Sequence, residues 1–77
     1  MRRSRGQVNL EILRLLATEN RKATLLAGVT GLNSATAKNM LKALRADGAV
    51  RWSGNDWSIT PHGREVLADL AKVERML

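Results

Sequence analysis

Cysteine is absent from this chain of 77 residues, and proline and histidine occur once each. Without cysteine there is no disulfide framework and no thiolate metal site. A lone histidine, His62, has no second His or Cys with which to hold zinc, so no metal is expected. A single proline, Pro61, leaves no proline-rich linker to divide the chain. Aromatics are limited to Trp52 and Trp57, which does not resemble the aromatic platforms on which RNA-binding sheets stack bases. No apolar run approaches the roughly 20 residues of a membrane-spanning helix. The first six residues, MRRSRG, lack the apolar stretch of a signal peptide. These absences fit a cytoplasmic protein with no membrane partner.

Acidic residues are also scarce. Lys and Arg number 13 against 7 Asp and Glu, a formal net charge of +6. An imbalance of this size draws polyanions at long range, nucleic acid foremost and an anionic membrane surface second. The seven acids (Glu11, Glu19, Asp47, Asp56, Glu65, Asp69 and Glu74) form no pair suited to acid–base catalysis. Glu65 and Asp69 stand four apart, as on a solvated helix face. There is no glycine-rich phosphate loop and no Ser-His-Asp arrangement. The chain reads as a non-enzyme with no cofactor. Its 44% apolar content is that of a globular domain. At this length one domain is expected, with a thin core.

Residues 1–6 form a basic arm, with Arg2, Arg3 and Arg5 around Ser4 and Gly6, expected to be unstructured when free. Residues 7–19 carry apolar positions at helical spacing. Val8, Ile12, Leu15 and Leu16 make one row, and Leu10, Leu13 and Ala17 make a second. One row suffices for packing inside a single small domain, so the second must meet another element or another subunit. A polar break at 20–23 contains Arg21 and Lys22, placed where a phosphate-backbone contact can form. Residues 24–30 predict a short helix capped by Thr24 or a neighbour and weakened by Gly28. Gly31 ends it. Asn33 or Ser34 caps a third helix running to about Asp47, and Gly48 closes that one.

Helix, glycine turn, helix is the order of a helix-turn-helix, whose second helix enters the DNA major groove. Ala37, Met40, Leu41 and Leu44 point to the core. The remaining positions, Ser34, Thr36, Lys38, Asn39 and Lys42, are short hydrogen-bonding groups and cations with no acid among them. Short side chains at Ser34, Ala35 and Thr36 allow close approach to base edges. Asn39 can pair bidentately with adenine, and the two lysines can meet phosphate or guanine. Next, Val50 and Trp52 alternate with Arg51, and Trp57 and Ile59 alternate with Ser58, around the turn Ser53-Gly54-Asn55-Asp56. This predicts a β-hairpin whose tryptophans cap the core. Thr60 and Pro61 open a last helix over 61–77, with Val66, Leu70, Val73 and Leu77 as its stripe.

The segments TGLNSATAKNMLKALRADGAV and WSITPHGREVL resemble the recognition segment and the strand-to-helix corner of MarR-type and related bacterial and archaeal regulators. The resemblance spans about residues 8–70. It implies a mainly α winged helix-turn-helix fold: a helix-turn-helix at 24–47, a wing at 49–60 and a C-terminal helix at 61–77, together a single domain over 7–77. It implies that Ser34, Thr36, Lys38, Asn39 and Lys42 face the major groove and that Arg51, Gly54 and Asn55 lie on or near the wing. MarR-like wings carry an Asp-x-Arg pair. Here Trp57 and Ser58 follow Asp56, so the arm arginines Arg2, Arg3 and Arg5 are candidates to reach the minor groove instead. MarR-like chains also have flanking helices that build a ligand pocket, so no small-molecule ligand is expected here. Leu10, Leu13, Leu70, Val73 and Leu77 are the expected homodimer interface. The reading is a double-stranded-DNA-binding, dimeric transcriptional regulator, for instance a repressor, associated with the nucleoid. A DNA-architectural, recombination or replication accessory factor and a winged-helix protein-interaction module remain open alternatives.

Overall fold

The computed structural model describes residues 5–76. Four helices and one hairpin follow in the order α1 (Arg5–Thr18), α2 (Ala23–Thr30), α3 (Ser34–Ala46), β1 (Val50–Trp52), β2 (Trp57–Ile59) and α4 (Pro61–Met76). The fold is therefore mostly helical with a two-stranded antiparallel wing. Strand register pairs Val50 with Ile59, Arg51 with Ser58 and Trp52 with Trp57.

Helix α1 begins two residues earlier than the periodicity suggests, so Arg5 and Gly6 belong to it and not to the arm. The arm's other arginines, Arg2 and Arg3, lie outside the described residues. The core gathers Val8, Ile12, Leu13 and Leu16 of α1 with Leu26 of α2 and Met40, Leu41 and Leu44 of α3. Ala49, Val50 and Trp57 of the wing close it. Along α4, Val66, Leu67 and Leu70 pack against this cluster.

Of the two alternatives for α1's second row, another element is the one realised, which corrects the placing of Leu10 and Leu13 in a homodimer interface. Leu10 is 3% exposed and Leu13 fully buried within the single chain, so neither offers surface to a second copy. Helix α4 packs along α1, and Leu13 joins the cluster against which its Val66, Leu67 and Leu70 rest. One tryptophan is also placed differently. Trp57 is buried as expected, but Trp52 keeps 39% of its surface. Its ring lies 5.0 Å from that of Trp57, tilted by 45°, within the range of favourable aromatic pairs.

The connections are fixed by local hydrogen bonds. Gly31 and Gly48 take left-handed φ values of 74° and 83°, where a Cβ is penalised. At Gly48 this reverses the chain so that its N–H donates to the Arg45 carbonyl and that of Ala49 to the Leu44 carbonyl, a Schellman closure of α3. The start of α4 is tied back to the same corner. The Thr60 N–H donates to the Ala49 carbonyl at 3.1 Å, and the Thr60 hydroxyl donates to the Gly48 carbonyl. The same hydroxyl accepts the Gly63 N–H at 3.0 Å, capping the helix as expected.

A third piece of sheet lies where only a polar break is expected. Arg21 forms an isolated antiparallel bridge with Trp57. Its N–H donates to the Trp57 carbonyl at 3.0 Å, and the Trp57 N–H donates to the Arg21 carbonyl at 2.7 Å. Extended backbone at Lys22 then leads directly into α2, whose N-cap is Lys22 without any side-chain cap. Thr24 is thus not the cap, because the sheet bridge and not a capping side chain sets where α2 starts.

Candidate nucleic-acid interface

Helix α3 is held by its cap at one end and by its apolar stripe along its length. The Asn33 side chain accepts the Thr36 N–H at 2.8 Å, meeting one of the donors that a helix N-terminus leaves unpaired. Ala37, Met40, Leu41 and Leu44 are the buried residues of α3. Everything else on the helix faces out, including Ser34, Thr36, Lys38, Asn39 and Lys42. The five residues singled out from the sequence therefore share the open surface of one 13-residue helix. At about 1.5 Å per residue that helix is roughly 20 Å long, and its short side chains suit a groove about 12 Å wide.

The face carries positive charge and no negative charge. Lys38, Lys42 and Arg45 follow one another at i, i+4 and i+7, and α3 contains no acid. Arg45 is absent from the sequence-derived set, although its spacing from Lys42 was sufficient to add it. The first acid is the C-cap Asp47, and its carboxylate lies 3.5 Å from His62 Nε2. His62 also lies 3.8 Å from Glu65 through Nδ1. It is an exposed residue between two carboxylates, and among the described residues no cluster could hold a metal ion.

On the wing, Arg51, Gly54 and Asn55 are exposed. The tip is shaped by Ser53, whose hydroxyl donates to the Asp56 carbonyl and carboxylate, both at 2.9 Å, and accepts the Asp56 N–H at 3.1 Å. Asp56 is thereby occupied within the turn. Arg21, which precedes α2, is half-buried and pairs with Glu19 at 3.0 Å, while Lys22 is exposed. Of the remaining candidates, Arg5 stands at the start of α1, and Leu77 lies outside the described residues. Leu70 is partly buried, whereas Val73 is 55% exposed.

A winged helix-turn-helix family model matches residues 2–77. No match was found among curated proteins. Among solved structures, the transcriptional regulator BldR from Sulfolobus solfataricus superposes with a TM-score of 0.82 at 28% identity, over 90% of this chain and 55% of that one. A homodimeric winged helix-turn-helix DNA-binding domain from Mycobacterium bovis, Mb0332, described as a possible ArsR-family transcriptional regulator, is 32% identical. It superposes with a TM-score of 0.65 over 91% of this chain and 67% of that one. CalO1, a methyltransferase of calicheamicin biosynthesis, superposes at 0.69 with 23% identity, over 84% of this chain and 20% of that one; this likeness is one of fold. This chain thus spans little more than half the length of BldR and a fifth of CalO1. With the helix order, the hairpin and a match over nearly every residue in agreement, the chain belongs to the winged helix-turn-helix family.

Proposed function

We propose that the chain binds duplex DNA as a transcriptional regulator acting in the cytoplasm, at the nucleoid, by occupying a promoter or operator. It acts there without catalysis and as a homodimer. The observation that carries this reading is the outward face of α3, where every non-core residue is exposed and none is acidic. A surface that needed only solubility would intersperse both signs of charge. Placed in a major groove, α3 brings Ser34, Thr36, Lys38, Asn39 and Lys42 to base edges and phosphates. The wing brings Arg51 and Asn55 to the flanking backbone, with Arg2, Arg3 and Arg5 as further cationic contacts.

The homodimer is supported by the homodimeric state of the M. bovis domain and by the end of α4. There Val73 and Met76 are 55% and 84% exposed. With Leu10 and Leu13 buried, the interface narrows to this end of α4, with Leu70 at its edge and Leu77 beyond the described residues.

The test is selection from a random duplex pool at near-physiological salt, followed by sequencing of the retained fraction. An enriched palindrome with half-sites about one turn, roughly 34 Å, apart is the expected result. Retention without enrichment would favour an architectural factor. A second reading, a protein-interaction module, is favoured by Leu25 and Val29, which are 45% and 58% exposed on α2. Failure to retain any duplex at low salt would select it.

A further inference from the structure

The buried residues of α3 fix which side chains stand furthest from the core. At about 100° per residue, the line opposite Ala37, Met40, Leu41 and Leu44 runs through Ala35, Asn39, Lys42 and Ala46, with Thr36 and Ala43 along one flank and Lys38 and Arg45 along the other. All eight are exposed. The chemistry of this strip is lopsided. Asn39 is its one carboxamide, since the other asparagine nearby, Asn33, is committed to capping at 2.8 Å. Ala35, Thr36 and Ala43 present methyl groups. No arginine stands on the line, because Arg45 lies in the last turn and to the side, and no acid is present to accept from cytosine.

Each base pair presents its own pattern in the major groove. A carboxamide matches the N6 donor and N7 acceptor of adenine. A methyl group on the protein packs against the C5-methyl of thymine. Guanine is best read by a bidentate arginine and cytosine by a carboxylate. The strip has no carboxylate, and its one arginine, Arg45, stands on a flank in the last turn, away from Asn39. Nearer Asn39 a guanine meets only Lys38 and Lys42, point cations that phosphate also attracts. Resting on the DNA-binding reading above, we infer that α3 selects half-sites with an A·T centre. Asn39 pairs with an adenine there, and Ala35, Thr36 and Ala43 line the neighbouring thymine methyls.

The test uses the full chain and duplexes drawn from the selection experiment. One set replaces the central adenine by 7-deazaadenine, which removes the N7 acceptor. A second replaces the adjacent thymines by uracil, which removes only the methyls. A third carries G·C at the centre. A loss of about tenfold is expected for the G·C duplex, the size of one good bidentate pair, with smaller losses for the 7-deaza duplex, which keeps the N6 donor, and for uracil. Asn39→Ala, an exposed change that raises helix propensity, should bind the 7-deaza and parent duplexes equally. It should retain the salt dependence of binding to random duplex, which reports phosphates alone. A G·C-centred selected site, or an unaltered base preference in Asn39→Ala, would overturn the inference while leaving DNA binding intact. Absence of salt-dependent binding to any duplex would overturn both.

Discussion

Two helical glycines show how differently one residue type behaves in this chain. Gly63, in the first turn of α4, is buried. A Cβ there would collide with the Ala49 carbonyl oxygen and lie 2.7 Å from Ile59 Cγ1. The first of these is backbone, held in place by the Thr60 N–H, so it cannot swing aside. Gly63→Ala is expected to cost about 3 kcal/mol, the upper end for overpacking. In a domain this small that lowers the melting temperature by roughly 12 °C or more, measurable by circular dichroism. Gly28, exposed on α2, has nothing within 4 Å of its added Cβ. Gly28→Ala should raise stability by about 0.5–1 kcal/mol through helix propensity and a less disordered unfolded chain. An unchanged melting temperature in both variants would contradict this packing.

At the scale of the element, α3 yields a prediction that separates phosphate neutralisation from base reading. Removing the charge of Lys38, Lys42 or Arg45 should weaken binding to all duplexes alike. For each phosphate left without its cation, the slope of log affinity against log salt should flatten by about 0.9. A variant with unchanged slope does not touch phosphate. Helix α3 is also the element most legible in the sequence. Its cap, its stripe, its closing glycine and its open face were all readable because each depends on residues within a few positions of one another. The hairpin and the Thr60-Pro61 start of α4 were readable for the same reason. What escaped depends on distant partners. The start of α2 is set by the Arg21–Trp57 bridge, across 36 positions of chain, and no local capping signal could report it. The burial of Leu10 and Leu13 depends on how the rest of the fold lies against α1. Periodicity shows that a face is apolar but not which neighbour covers it.

Considered whole, the described part of the molecule measures 36 × 30 × 21 Å, and no described helix is long and apolar enough to cross a membrane. Two classes of apolar residue are distinguished at this scale. Leu13 belongs to the core, and Leu13→Ala should cost about 2–5 kcal/mol and unfold the domain at modest denaturant. Val73 and Met76 are exposed in the single chain, so Val73→Glu with Met76→Glu should leave the melting curve of the monomer unchanged. In the proposed homodimer the same double change should reduce the mass in sedimentation from two chains to one. It should also weaken binding to a two-half-site duplex far more than to a single half-site. A double variant that stays dimeric would exclude the end of α4 as the interface.

The pairing of Trp52 with Trp57 has an optical consequence. The chain has two tryptophans and no tyrosine or phenylalanine, so every photon of its intrinsic emission originates in the hairpin. Trp57 sits in the apolar interior, while the open edge of Trp52 senses whatever approaches the wing. Their rings are close enough to couple their transitions, giving circular dichroism in the tryptophan bands a signature of the hairpin alone. Whether the wing is engaged in the proposed complex with DNA can therefore be observed in the unlabelled protein.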